Sequence, residues 1–536
     1  MGHVSPSYGA TPPAADGCHH PAVVVGGGLV GLTLALDLAQ RGVPVVLLDD
    51  DDTVSTGSRA ICFAKRTLEV FARLGLGPRI KAKGVTWNVG RVFAGERELF
   101  NFDLLPETGH EYPAFVNLQQ YYVEEWLVDA CQAAGVELRW RHRVMALDPR
   151  ADSVTVTVAT DAGPYTLQAG WLLACDGARS FVRETMGLPF VGRVFRDRFL
   201  IADVRMQAAF PTERWFWFDP PFHPNQSALL HRQPDDIWRI DLQLGWDADP
   251  AVERDPDRVR ARVQAMLGPD VPFELEWVSI YTFRCRRLER FVHGRVVFVG
   301  DSAHQVSPFG ARGGNGGVQD ADNLAWKLAA VLGGAAPSLI GTYDDERIRA
   351  ADENILHSTR ATDFITPKTA AARAYRDAVL SLAATHPFAR AMVNSGRLSR
   401  PCRLALGGDS DAWAGVRPGD PAVDCPVGDG WLLQRVGRSF TLLAFGSDIG
   451  PVPGVTVVTL PATGLAAQRY GAPPGGCVLL RPDQHVLATF THHDPTRIQA
   501  AIAACLHAAP APGRAAPGRA APGRAAPGRA AWERAA

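Results

Sequence analysis

Short, unbroken apolar runs recur along this chain between amphipathic stretches, the pattern expected of buried parallel strands joined by helices. The first run, Val23-Val24-Val25, enters a glycine-rich turn and continues into an apolar helix over residues 29–38. A second strand over residues 43–48 ends in Asp49. Helical spacing predicts helices over residues 64–74 and 120–134, the latter carrying Tyr122, Leu127, Ala130 and Cys131. Residues 91–114 read as strands and loop, and residues 137–174 alternate in strand fashion. Residues 190–285 are rich in strand formers and Trp, which predicts a mostly antiparallel sheet inserted into the α/β part. A further buried strand ends at Gly300-Asp301, a helix begins near Gly316, and helix continues to about residue 395.

Outside this part the pattern changes. Residues 1–20 show no periodicity and read as a mobile lead-in. A composition shift over residues 407–420 marks a boundary, so the main domain spans residues 21–400 and a small α/β module spans 401–508. In that module, residues 439–445 and 456–460 read as strands, 477–480 and 485–490 as a hairpin pair, and 495–507 as a helix. Pro-Gly-Arg-Ala-Ala then repeats four times, starting at Pro512, Pro517, Pro522 and Pro527. Proline every fifth residue prevents a helix and the unit has nothing to form a core, so residues 509–536 are expected to be a disordered tail.

Composition narrows the functional classes. A chain of 536 residues with 46% hydrophobic and 21% charged content can fold around large cores. Its formal net charge of −1 gives no electrostatic case for nucleic acid or an anionic membrane. The nine cysteines show neither CxxC spacing nor zinc-type clustering, so reduced thiols, no metal site and a cytoplasmic setting are expected. Residues 22–39 are apolar enough to raise the question of a membrane segment. Three adjacent glycines, Asp37 and the lack of upstream Lys or Arg argue against one.

The candidate chemistry begins at the first turn. Gly26 allows a tight turn, Gly28 lets backbone approach a diphosphate, and Gly31 lets helix and strand pack closely. The helix N-terminus offers unpaired N–H groups to phosphates, and Asp49, 18 residues past Gly31, can accept hydrogen bonds from an adenosine ribose. Two more fragments stand far downstream: Cys175-Asp176-Gly177-Ala178-Arg179-Ser180, and the strand end Gly300-Asp301 leading into Pro308-Phe309-Gly310-Ala311-Arg312-Gly313-Gly314-Asn315. A long dinucleotide must be met by different strand ends of one sheet, so their order and spacing describe one site.

Taken together, residues 21–400 resemble the single-component FAD-dependent aromatic hydroxylases, and within them the phenol hydroxylase and 3-(3-hydroxyphenyl)propionate hydroxylase branch. The resemblance implies a Rossmann-like FAD-binding domain with an inserted substrate-binding sheet at about residues 190–285, and a thioredoxin-like C-terminal domain. It implies non-covalent FAD, with Gly26, Gly28 and Gly31 along the diphosphate and Asp49 on the ribose. Arg59, in Gly57-Ser58-Arg59-Ala60, would lie near the diphosphate, and Gln120 near the ribityl chain. Asp176 would serve both FAD and the reduced nicotinamide, and Asp301 would bind the ribityl and diphosphate portion. Pro308, Gly313, Gly314 and Asn315 would border the isoalloxazine. Ala311-Arg312-Gly313-Gly314-Asn315 departs from the Gly-Gln-Gly-Met-Asn of many members, adding a cation beside the ring. The C-terminal module lacks CxxC, so assembly or stability is its expected role.

The reaction implied is hydroxylation of a phenolic or related aromatic substrate with NADH or NADPH and O2, through a flavin C4a-hydroperoxide. The cofactor carries the oxygen chemistry, while the protein orients substrate and excludes water. With one dinucleotide fingerprint in the chain, the nicotinamide would bind transiently. The base is left open among His231, Tyr281, His223 and Asp241, and His304 reads as structural. In the run Trp215, Phe216, Trp217, Phe218, alternate residues would line the pocket. A homodimer is compatible with the resemblance. Alternatives are a flavoprotein reductase of the same fold and a non-catalytic FAD-binding protein. A halogenase is disfavoured because Trp87-Asn88-Val89 lacks the lysine its motif would need.

Overall fold

The computed structural model describes residues 3–508 apart from Ser58, Ala209, residues 394–398 and Ser447, so the repeat tail lies outside the described residues. Its centre is a six-stranded sheet in the order Val292–His293, Val296–Phe298, Leu172–Ala174, Ala22–Val25, Val45–Asp49, Glu137–Trp140. All neighbours are parallel except the edge pair Val292–His293 and Val296–Phe298. The short strands are buried on both faces, which is why they read as unbroken apolar runs. Val25, Ala174 and Phe298 are in register, so the chain leaves the sheet side by side at Gly26, Cys175 and Val299. Helices Leu29–Gln40 and Gly313–Leu332 pack over this sheet, the latter starting three residues before the expected Gly316.

The second large sheet has eight strands in the order His304–Gln305, Glu274–Leu288, Phe190–Arg205, Ile237–Leu244, Ser227–Arg232, Arg214–Phe218, Val89–Ala94, Arg97–Asp103. The pairings are antiparallel except that Arg214–Phe218 runs parallel to Val89–Ala94. The sheet is therefore not confined to residues 190–285. A parallel partner arrives by a long crossover, which local periodicity cannot reveal.

The lead-in differs from expectation too. Cys18–His20 is a strand parallel to Gly163–Ala169 in a four-stranded sheet. Upstream, Tyr8 stacks on Trp140 with centroids 4.8 Å apart, and Trp140 N–H donates to Thr11 at 3.0 Å. Tyr8 N–H also donates to the Asp52 carbonyl at 2.7 Å and His3 bonds to Glu125 at 2.7 Å, so contacts to distant residues tie a segment that has no periodicity of its own.

The C-terminal module holds a four-stranded sheet in the order Thr456–Leu460, Thr441–Phe445, Cys477–Leu480, Val486–Phe490. The first pair is parallel and the other two antiparallel, with helices Leu465–Tyr470 and Pro495–Leu506 alongside. Its hairpin turn is driven into the main domain by buried charge. Arg481 grips Glu346 through both terminal nitrogens at 2.9 Å and Asp483 through Nε at 3.1 Å. Lys327 reaches Glu346 at 3.0 Å, and Arg66 donates to the Asp483 carbonyl at 2.6 Å. Burial alone would raise the Glu346 carboxyl, yet Arg481 and Lys327 outweigh it and hold its pKa at about 2.

Removing one partner of a buried pair leaves a desolvated charge, at a cost of about 3–5 kcal/mol. Arg481→Met is therefore expected to lower the urea midpoint strongly, whereas Arg79→Met, at an exposed pair, should change it little. Because the Glu346 pKa is depressed on folding, its contribution is present above pH ~4.5 and is lost as pH falls towards about 2. Urea midpoints measured across that window should converge for the parent and Arg481→Met; parallel curves would contradict this account.

Candidate functional site

The fingerprint turn is built from close backbone approach. Gly26 has φ +107°, and a Cβ there would lie 2.5 Å from the Cys175 carbonyl oxygen. A Cβ on Gly31 would lie 1.9 Å from the Gly26 carbonyl oxygen, so helix and turn can meet only without a side chain. Gly28 caps the helix. Asp49, at its strand end, accepts the N–H of Gly27 and, at 2.8 Å, that of Asp51. Burial, opposed by these backbone donors, pushes its pKa up to about 6.

A residue the sequence did not single out, Glu124, holds the flank. It is fully buried and accepts hydrogen bonds from Leu29 N–H at 2.8 Å, Ser55 N–H at 2.9 Å and Gln120 Nε2 at 2.7 Å. Burial raises its pKa, against the pull of these donors. Gln120 in turn accepts the Ala60 N–H at 2.8 Å, which fixes the loop carrying Arg59. The Arg59 side chain is exposed, and its carbonyl is held by Arg239 at 3.1 Å. The available signal was the four-residue spacing of Gln120 and Glu124 on one helix face.

The second fragment follows directly from the register. Asp176 accepts the Val182 N–H at 3.0 Å through Oδ2, while its Oδ1 is buried without a partner. Burial raises its pKa. At the third strand end Gly300 takes φ +67° and turns the chain through Gly300–Ser302. Among the described residues no donor bonds to the Asp301 carboxylate, whose pKa is raised by burial first and lowered by His304 and Arg59. Just behind it lies a second omission from the sequence reading. Asp320 is fully buried and accepts hydrogen bonds from His304 at 2.6 Å, Arg347 at 2.6 Å and Gly300 N–H at 3.1 Å. Burial would raise its pKa, but His304 and Arg347 hold it below the usual range.

The glycine-rich loop closes the arrangement. Ala311 N–H donates to the Pro308 carbonyl at 3.0 Å, and Gly310 and Ala311 both have positive φ. Asn315 accepts the Ala64 N–H at 2.9 Å and donates to the Cys62 carbonyl at 2.8 Å, stitching the loop to the segment after Arg59. A Cβ on Gly314 would lie 3.3 Å from Ala60 and Leu29, while one on Gly313 would have only Val306 nearby, at 3.8 Å. The predicted residues thus gather around the carboxyl end of one sheet, several of them bonded to the protein's own backbone. Glycine approaches, the free Asp301 carboxylate and the orphaned Asp176 oxygen fit a long dinucleotide laid across three strand ends.

Beside the loop, an aromatic cleft of about 620 Å³, counting space open to solvent, is bounded by Phe216, Phe218, Phe309, Arg214 and Arg312. Trp215 and Trp217 face the opposite side of their strand and pack in the core there. Asp241 pairs across the sheet with Leu229, itself paired with Phe216, so Asp241 shares the cleft face. Its Oδ1 and the Nδ1 of His231 are buried without partners, and burial pushes Asp241 up to about 6. His223 is engaged with the Gln243 carbonyl at 2.6 Å, and Tyr281 is exposed.

Comparison with known proteins agrees with this geometry. The "FAD binding domain" family model matches residues 19–358. A "Flavin-dependent monooxygenase" of Mycobacteroides abscessus is 31% identical over 87% of this chain and 96% of its own length. A "6-methylpretetramide 4-monooxygenase" of Streptomyces rimosus is 32% identical over 94% and 96%. A "3-(3-hydroxy-phenyl)propionate/3-hydroxycinnamic acid hydroxylase" of a Mycobacterium species is 30% identical over 77% of this chain and 70% of its own. Among solved structures, the flavin-dependent monooxygenase PieE in complex with FAD and substrate superposes with TM-score 0.77 at 24% identity, covering 92% of this chain and all of that one.

Gly31→Ala places a methyl group inside the Gly26 carbonyl, so the turn must open. The variant is expected to purify with less than a tenth of the parent's flavin absorbance per chain, while Gly245→Ala, in open space and without a positive φ, should retain flavin. Equal flavin content in both variants would refute the close-approach account.

Proposed function

This chain belongs to the FAD-dependent monooxygenases, and we propose that it uses reduced nicotinamide and O2 to hydroxylate a phenolic, multi-ring aromatic substrate. One observation carries the reading: three distant motifs meet at the carboxyl end of one sheet, and an aromatic cleft opens beside the loop that continues from the third. When bound, FAD takes electrons from the nicotinamide and activates oxygen. The rest falls to this chain. Gly26, Gly28, Gly31 and Asp49 would hold the adenosine and diphosphate side, with Arg59 and Gln120 on its flank. Asp176 and Asp301 supply acceptor oxygens left free by the protein, and Pro308, Gly313, Gly314 and Asn315 shape the loop beside the ring. The Gly313–Leu332 helix N-terminus favours negative charge placed against it.

Phe216, Phe218 and Phe309 would orient the substrate ring and keep water from the reacting centre. Of the candidate bases, Asp241 suits removal of a phenol proton best. It shares the cleft face, and a pKa of about 6 leaves it largely ionised at neutral pH. Multi-ring substrates are favoured because the similar Streptomyces enzyme is named for 6-methylpretetramide. In the C-terminal module, the strand order and the one parallel and two antiparallel pairings support a thioredoxin-like assignment with a structural role. All nine cysteines are free thiols, in keeping with a cytoplasmic setting, and among the described residues no helix is long and apolar enough to cross a membrane.

Oxidation of NADH or NADPH should accelerate in the presence of a suitable phenol and yield hydroxylated product. Oxidation without oxygen insertion would favour the reductase alternative, and none under any condition a non-catalytic flavoprotein. Asp301→Ala removes a charged acceptor contributing roughly 1.5–3 kcal/mol, so the FAD dissociation constant should rise about ten- to a hundredfold. An unchanged constant would place Asp301 outside the cofactor site.

A further inference from the structure

A second cleft opens where the C-terminal module meets the main domain, and it shares no lining residue with the aromatic cleft. It measures about 830 Å³, counting space open to solvent. Gln40 and Arg41, at the end of the Leu29–Gln40 helix, and Trp326, on the Gly313–Leu332 helix, belong to one wall. Arg438, Phe440, Pro482 and Leu506 of the module belong to the other.

Two donors in these walls lack acceptors. Trp326 is only 2% exposed, and its Nε1 is buried without a hydrogen-bond partner. A buried indole N–H ordinarily finds one. Arg438 stands on the module side, and its Nε is also buried without a partner. Its Nη2 donates to the Gln40 side chain and, at 2.8 Å, to the Arg73 carbonyl, both neutral acceptors. Among the described residues Arg438 makes no ion pair. The acid acting on it, Asp37, is already shared by Arg41 at 2.9 Å and Arg73 at 3.5 Å. Burial draws the Arg438 pKa down; Asp37 opposes this, and Arg73 and Arg41 add to it.

The rest of the wall is apolar. Phe440 meets Trp326 edge-on, with ring centroids 6.2 Å apart, beside Ala329, Ala330, Pro482 and Leu506. An apolar cleft with a few polar groups at a domain boundary is a common setting for a small-molecule site. The orphan donors and the unpaired cation call for an anionic oxygen, and the apolar walls for an apolar body.

We propose that this junction cleft binds a small organic acid, with its carboxylate accepting from Arg438 and the Trp326 indole and its apolar body against Phe440 and Leu506. The site is separate from the reaction, since no FAD motif borders it, and its ligand bridges the two domains. The proposal therefore stands or falls independently of the hydroxylase reading. Because the Trp326 helix begins at Gly313, the ligand sits towards the far end of the helix that starts beside the flavin loop.

The test uses the FAD-loaded full chain labelled with 5-fluorotryptophan and two isosteric probes, 1-naphthaleneacetate and 1-naphthaleneacetamide. Fluorine resonances are followed on titration, that of Trp326 being the one missing from Trp326→Phe. The acid is expected to shift the Trp326 resonance saturably and to bind at least tenfold more tightly than the amide. Arg438→Gln should reduce that preference below threefold, and Arg438→Lys should restore part of it. Ser439→Glu, at an exposed position of the cleft wall, leaves the Arg438 contacts in place. It should weaken the acid at least tenfold and leave the amide unchanged. A Trp326 resonance that the acid does not move overturns the proposal, even if other tryptophans respond. So does equal binding of acid and amide, or an acid preference that survives both Arg438→Gln and Ser439→Glu.

Discussion

A single buried carboxylate holds the parts of this site in register. Asp320 lies without solvent contact and receives donors from three directions: the Gly300 amide at a strand end, His304 just beyond it, and Arg347 from the Leu339–Ile365 helix. An ionised carboxylate in such a place is tolerable only because every donor is present. Since Asp320 itself sits on the helix that begins at Gly313, these bonds fix the distance between the Asp301 turn and the glycine-rich loop. Arg347 adds a contact to the Gly316 carbonyl at 3.4 Å, in the first turn of that helix. The cleft and the dinucleotide path therefore share one anchor, and neither can shift alone.

Much of the site could be read from sequence because its logic is local. A tight turn needs glycine wherever the Cβ would collide: on Gly26 it would meet the Cys175 backbone, and on Gly31 the Gly26 carbonyl. Strand ends announce themselves by apolar runs that stop at a polar residue, as at Asp49, Asp176 and Asp301. What escaped were residues whose role depends on a distant partner. Glu124 is an unremarkable helix acid until Leu29 and Ser55 come to it, and Asp320 and Arg347 are silent until the helices pack. The contacts of the lead-in were hidden for the same reason, since Tyr8 meets Trp140 and Asp52 only in the folded chain.

Charge is distributed in two different ways across the molecule. At the junction with the C-terminal module, Arg481, Glu346, Lys327 and Asp483 are buried but mutually satisfied, so the network rigidifies the join. In the cleft wall, the Nε atoms of Arg214 and Arg312 are buried and have no hydrogen-bond partner. The first arrangement is complete within the chain. The second leaves two donors of the cleft wall without protein partners, an exception to the pairing of buried polar groups.

The parentage of the eight-stranded sheet has a consequence for how such enzymes can be recombined. One edge is supplied by Val89–Ala94 and Arg97–Asp103, the other by His304–Gln305, so both rims come from segments outside residues 190–285. The floor of the cleft is thus not a cassette. Transplanting residues 190–285 into a relative would carry Phe216 and Arg214 but leave behind the strand that Arg214–Phe218 hydrogen-bonds, exposing an unpaired edge. A chimera that keeps the pocket whole must exchange residues 89–103 together with the insert.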